Sequence, residues 1–103
     1  SDKSWSFDYV VDCRGLGAQD EIKGLRGVRG ELVIVKANHI QLNHVVRYMH
    51  PYYSCYIVPQ GESQYAIGAT HLESEHQDPI YVKSAMSLMT GALLVEPRLK
   101  DAY

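Results

Sequence analysis

Residues 54–70, Ser-Cys-Tyr-Ile-Val-Pro-Gln-Gly-Glu-Ser-Gln-Tyr-Ala-Ile-Gly-Ala-Thr, decide the fold. Two apolar, strand-like runs, Ser54 to Val58 and Gln64 to Thr70, flank a turn-rich stretch from Pro59 to Ser63. That pattern predicts a β-hairpin with a five-residue loop. Successive strand residues point to opposite faces, so Cys55 and Ile57 face one way and Tyr56 and Val58 the other. Gly68, inside the second run, predicts a bulge or something packed closely against the backbone.

Working outward, Glu31 to Lys36 is the clearest further strand. Asn38 to Asn43 connects it to another, His44 to His50, which Pro51 stops because proline has no N–H to give a ladder. Phe7 to Asp12 reads as a strand rich in aromatic and β-branched residues, ended by Arg14-Gly15-Leu16-Gly17. Gln19 to Gly27 is polar and glycine-punctuated, a loop or a short broken helix. One helix follows the hairpin, with Asp78 as N-cap and Pro79 at its first position. Val82, Ala85, Met86, Met89 and Leu93 recur on one of its faces, and Glu96-Pro97 ends it. The tail from Arg98 to Tyr103 extends the helix briefly or frays. The sum is an α+β fold: a mostly antiparallel sheet of about five strands, with one C-terminal amphipathic helix packed on one face.

A chain of 103 residues has room for one domain, 1–103, and shows neither repeat nor linker. Apolar residues are 46% and charged ones 21%, ample for a packed core. A net charge of -2 offers no electrostatic case for nucleic acid or an anionic membrane. No apolar run approaches the roughly 20 residues of a membrane span, and the polar start lacks a leader's apolar region. Cys13 and Cys55 lie among apolar residues and are expected to be free, buried thiols, consistent with a reducing cytoplasm.

Candidate chemistry is sparse. No G-x-S-x-G elbow or cysteine-protease signature surrounds any nucleophile, so no catalytic residue is assigned. His71-Leu72-Glu73-Ser74-Glu75-His76 concentrates potential ligands, but its spacing matches no strong zinc motif and reads as a solvated loop. Of eight tyrosines, Tyr48, Tyr52, Tyr53, Tyr56 and Tyr65 cluster between the third strand and the hairpin. An apolar ring with a polar tip suits either strand packing or a pocket wall that hydrogen-bonds a ligand. Gly15 and Gly17 allow a tight turn and close approach of a bulky ligand. The G-x-G-x-x-G fingerprint is nevertheless incomplete, because Ala18-Gln19-Asp20 follows.

Four segments, in this order, resemble the D-amino-acid oxidase family and its glycine-oxidase-like branch. They are Asp8 to Ala18 (DYVVDCRGLGA), Leu25 to Glu31 (LRGVRGE, with Gly27 where proline is common), Cys55 to Pro59 (CYIVP) and Ile67 to Thr70 (IGAT). The resemblance implies an FAD enzyme acting on an amine or small amino acid. Hydride passes from the substrate's α-carbon to the flavin, the imine hydrolyses, and oxygen regenerates the flavin with release of peroxide. It implies substrate contact for Tyr56 and cofactor proximity for Cys13, Gly15 and Gly17. It also places the dinucleotide-binding unit before residue 1 and the carboxylate-gripping arginine after Tyr103. Arg29 and Arg47 stand outside that arginine's motif. The expectation is therefore the substrate-side portion of a larger flavoprotein, inactive and flavin-free alone. The alternative is a stand-alone, non-catalytic binding or dimerisation module. Without its parent sheet, Phe7 to Asp12 is expected to pair within the chain's own sheet or with a second copy as a homodimer.

Overall fold

A computed structural model describes residues 3–103. Its elements are β1 (Leu32–Lys36), β2 (Val46–Tyr48), β3 (Cys55–Gly61), β4 (Gln64–Gly68) and helix α1 (Val82–Val95), with short 3-10 turns at Gly15–Ala18 and Pro97–Asp101. The strands form one antiparallel sheet in the order β1-β4-β3-β2. This is the expected α+β arrangement, with four strands in place of about five. Among the described residues no helix is long and apolar enough to cross a membrane.

The alternation read from the hairpin governs the core. Register pairs Ile57 with both Ile67 and Val46, and Ile67 with Val33, so one cross-strand row turns toward the helix. Ile57 and Ile67 are 0% and 1% exposed and join Cys55, Tyr65, Val35, Leu88, Ala92 and Leu99 in the core. Fully burying a side chain of that size contributes roughly 1.5–3 kcal/mol.

The hairpin loop is shorter than the composition suggests. Pro59, Gln60 and Gly61 stay in β3, and Gly61 pairs with Gln64 across a two-residue turn. Glu62 and Ser63 close it at φ of +53° and +62°, the left-handed pair that suits the twist of a tight hairpin. Pro59 is tolerated because β2 pairs only with Cys55 to Tyr56 and Ile57, so no third strand lies opposite it.

Further expectations are corrected. Phe7 to Asp12 forms no strand: Phe7, Tyr9, Val10 and Val11 are 69%, 91%, 83% and 82% exposed. The outer side of β1 at Lys36 is instead taken by the chain's own tail, through Lys36 N to Tyr103 O (2.6 Å) and Tyr103 N to Lys36 O (3.0 Å). The tail thus neither lengthens α1 nor frays. An extended N-terminal segment also explains a radius of gyration of 17.4 Å, against about 13 Å for a compact chain of this length.

The helix starts at Val82, not at Asp78-Pro79, and has turned on its axis. Val82, Met86 and Leu93 are 76%, 66% and 39% exposed, while Ser84, Leu88, Gly91 and Ala92 face the sheet. Gly91 explains the rotation: a Cβ there would lie 2.6 Å from the Tyr53 carbonyl oxygen and 3.1 Å from Cys55 Sγ. The helix seats through its smallest residues to approach β3; Ala85 and Met89 are half-buried, Met89 packing against the core, while Met86 turns to solvent. Finally, Cys55 is buried and free, with burial raising its thiol pKa, whereas Cys13 is exposed. The Cys13 segment has no sheet to hide in.

Candidate functional site on the open sheet face

The side of the sheet away from α1 is uncovered. Two cross-strand rows lie on it, Leu32–Gly68–Tyr56–Arg47 and Ile34–Ala66–Val58. Leu32 and Ile34 are 48% and 51% exposed, the signature of an apolar sheet face with nothing packed on it. A trough of about 620 Å³ opens there, walled by Val45, Tyr56, Val58 and Ala69, with Arg47 and His71 along it.

Tyr56 occupies the trough for a reason legible in Gly68. A Cβ at Gly68 would meet Tyr56 Oη at 2.7 Å and Cζ at 2.8 Å, so the phenol ring lies directly over the glycine. Gly68 is thus the close approach anticipated from sequence. Among the described residues, the Tyr56 hydroxyl has no hydrogen-bond partner. Tyr65, by contrast, is spent: its hydroxyl donates to Ile40 O and accepts from Leu42 N, both at 3.2 Å. Tyr48, Tyr52 and Tyr53 gather around His50, with ring centroids 5.5–6.0 Å away, and His50 Nδ1 accepts the backbone N–H of Tyr52 and Tyr53. The tyrosine cluster therefore divides into a core member, a turn-holding group and one pocket residue.

Glu31, which sequence reasoning did not single out, ties the sheet to the helix. It is 4% exposed. Its carboxylate accepts from Thr70 Oγ1 (3.1 Å), from Arg29 Nη2 (3.1 Å) and from the Tyr81 N–H (2.8 Å) at the start of α1. Burial raises its pKa, but the hydrogen bonds from Ser84, Tyr81, Arg29 and Thr70 outweigh it and hold the group at about 2. A negative charge at a helix N-terminus is stabilising, so Glu31 performs from a distance the capping expected of Asp78. Arg29 also donates to the carbonyls of His76 (3.0 Å) and Pro79 (2.7 Å), leaving Nε as the one buried side-chain atom without a partner among the described residues.

The N-terminal turn is separate from the trough. Arg14 grips Asp12 (2.7 Å) and Glu21 (2.9 Å), which shapes the loop that carries Gly15 at φ +58°. Leu16 packs on Gly27 and lines a second cavity of about 450 Å³ beside Arg29 and Glu31. Cys13, Gly15 and Gly17 line neither cavity, and a Cβ at Gly15 would meet nothing within 4 Å. The turn thus has room for a bulky group beside it. The described residues do not, however, wrap around one of dinucleotide size.

The ligand-rich run disperses. His71 borders the trough, Glu73 pairs with Arg26 at 2.8 Å, Glu75 accepts the Gly27 N–H at 2.5 Å, and the His76 carbonyl serves Arg29. Among the described residues no three His, Cys, Asp or Glu side chains converge as a metal site would require.

The chain is similar to one stretch of an oxidoreductase. It is 39% identical over 95 residues, 92% of its length, to a Rhizobium etli protein named "Putative thiamine biosynthesis oxidoreductase ThiO". It spans 29% of that protein. No family model matches the chain, and no solved structure matches it significantly. The likeness is thus to one stretch of an oxidoreductase, and it supports that relationship only coarsely.

Proposed function

We propose that this chain is the substrate-side portion of a larger FAD-dependent oxidoreductase that oxidises an amine or small amino acid, and that the trough beside Tyr56 is one wall of its substrate site. The observation that carries this reading is the Tyr56 ring laid over Gly68, with an unspent hydroxyl, on a sheet face that nothing covers. The similarity to the Rhizobium etli oxidoreductase supports the reaction class. A bound flavin would supply the hydride-accepting chemistry, with molecular oxygen as its oxidant and peroxide as the reduced product. The residues here supply position only. Tyr56 offers a hydrogen bond at the trough, and its ring with Val45 and Val58 excludes water from the substrate's apolar part. Gly15 and Gly17 stand near the cofactor in this reading, whose cradle is completed by sequence this chain does not contain.

The test is twofold. The purified chain is expected to be colourless; tightly held flavin would overturn its incompleteness. In the longer protein, Tyr56→Phe is expected to raise the KM for the amine several-fold while flavin content is unchanged, the size of one lost hydrogen bond. Unaltered KM and kcat would remove Tyr56 from the substrate site.

A further inference from the structure

We infer that the extended arm from Phe7 to Asp12 adds, as an extra strand, to the free edge of β2 in a second copy of this chain, with Asp8 set across from Arg47. This docking is independent of the trough's role as a ligand site.

The arm has the makings of a strand and no sheet to join. Its aromatic and β-branched residues favour extended pairing, yet Phe7, Tyr9, Val10 and Val11 stand 69–91% exposed. Among the described residues, no backbone N–H or C=O from Phe7 to Asp12 has a backbone partner. Water satisfies those polar groups, but the apolar side chains gain only by leaving it.

The sheet leaves such an arm one open edge. It ends in β1 on one side and β2 on the other. At β1 the backbone of Tyr103 already pairs with Lys36. Beyond β2 no strand lies among the described residues, and the extended run around it, 44–50, matches the arm in length. An unpaired edge of this kind takes up a strand from another chain through main-chain hydrogen bonds.

Charge and facing select the arm as the occupant. Residues 44–50 hold Arg47 and two histidines with no acid, whereas residues 7–12 hold Asp8 and Asp12 with no base. The other four arginines each have a carboxylate within reach, at 2.7–3.1 Å. Among the described residues neither Arg47 nor Asp8 has an ion-pair partner. Setting Asp8 opposite Arg47 in an antiparallel ladder brings Phe7 opposite Tyr48 and Tyr9 opposite Val46. Tyr48 and Val46 already pack against the core, so the arm's aromatic rings extend that row. A slip of one residue would turn Asp8 into the apolar row, which fixes the register. Exchanged reciprocally, two arms form a self-complementary two-fold interface. At roughly 150–250 Å² per aromatic side chain, Trp5, Phe7 and Tyr9 of both copies bring it to about the 1,200 Å² at which specific interfaces begin.

The experiment sediments the chain, with Cys13→Ser to remove the exposed thiol, over a range of concentrations. A dimer is expected. Asp8→Arg and Arg47→Asp are each expected to weaken it about tenfold or more, and the two together to restore it, because the swapped pair again carries opposite charges. Both positions are exposed, so the circular dichroism of each variant should match that of the parent. In the same background, Tyr9→Cys with Val46→Cys is expected to give a disulfide between copies on mild oxidation. A monomer at every concentration overturns the proposal. So does a dimer that neither single swap weakens, which places the contact elsewhere. A dimer weakened by each swap but not regained by the double variant overturns the Asp8–Arg47 pairing.

Discussion

The two faces of this sheet are built from alternate residues of the same strands, yet they answer to different demands. On the covered face Ile57, Ile67, Val35 and Tyr65 are sealed by α1, and even the Tyr65 hydroxyl is consumed by Ile40 and Leu42. On the open face Tyr56 and Arg47 keep their polar groups free, and Leu32 and Ile34 keep much of their apolar surface in contact with water. A face whose hydrogen bonds are satisfied internally holds the molecule together. A face whose donors point outward is poised to bind, at the cost of exposed apolar area. Neighbouring residues, one step apart in the chain, should therefore respond very differently to substitution.

The largest effect is expected at Ile57→Ala, on the covered face. Removing a fully buried branched side chain leaves a cavity beneath the helix and should cost about 2–5 kcal/mol, read from urea unfolding. A loss no greater than at Tyr56 would erase the distinction between the faces.

A smaller effect, dependent on pH, is expected where the sheet meets the helix. Glu31 is held at about 2 in the fold, against an ordinary value of 4.5. Its folded pKa is depressed, so the unfolded chain takes up the proton first and stability falls as pH drops from about 4.5 toward 2. Glu31→Gln should therefore melt below the parent at pH 7, with the gap narrowing through that window. A gap equally wide at pH 2 would mean that hydrogen-bond geometry, and not the charge, holds the helix start.

The smallest effect on stability is expected at Gly68→Ala, on the open face. The new methyl collides with the far end of the Tyr56 ring, which can swing outward, so unfolding should change by less than about 1 kcal/mol. The trough would change shape instead, and the Tyr56 signals should move in the NMR spectrum of the variant. Large destabilisation with Tyr56 unmoved would show that the ring is wedged as tightly as a core residue.

How much of this could be read in advance varies by residue. The facing of Cys55 and Ile57 against Tyr56 and Val58 follows from period-two alternation alone, as does the close approach at Gly68. Gly68 and Tyr56 are register partners on neighbouring strands, so local pattern and site coincide. The helix was legible as an element but not in its facing. Of its stripe of Val82, Ala85, Met86, Met89 and Leu93 only Ala85 and Met89 are half-buried, because the seat is chosen by Gly91 against Tyr53 and Cys55, a contact no periodicity encodes. Glu31 was silent because it acts on residues 39 and 50 positions away. The only available signal was an acidic residue heading an otherwise apolar strand. Arg47 was set aside for want of a motif, and its place beside Tyr56 emerges only once β2 and β3 are in register.

The sequence by itself determined the strands, the hairpin and which side of each strand is apolar, because these rest on alternation and turn chemistry within a few residues. Only the tertiary structure decided that Phe7 to Asp12 stands apart from the sheet, which face of α1 is buried, and which polar groups remain unspent. Each of those depends on partners distant in the chain, where steric fit and competition for hydrogen bonds override local preference.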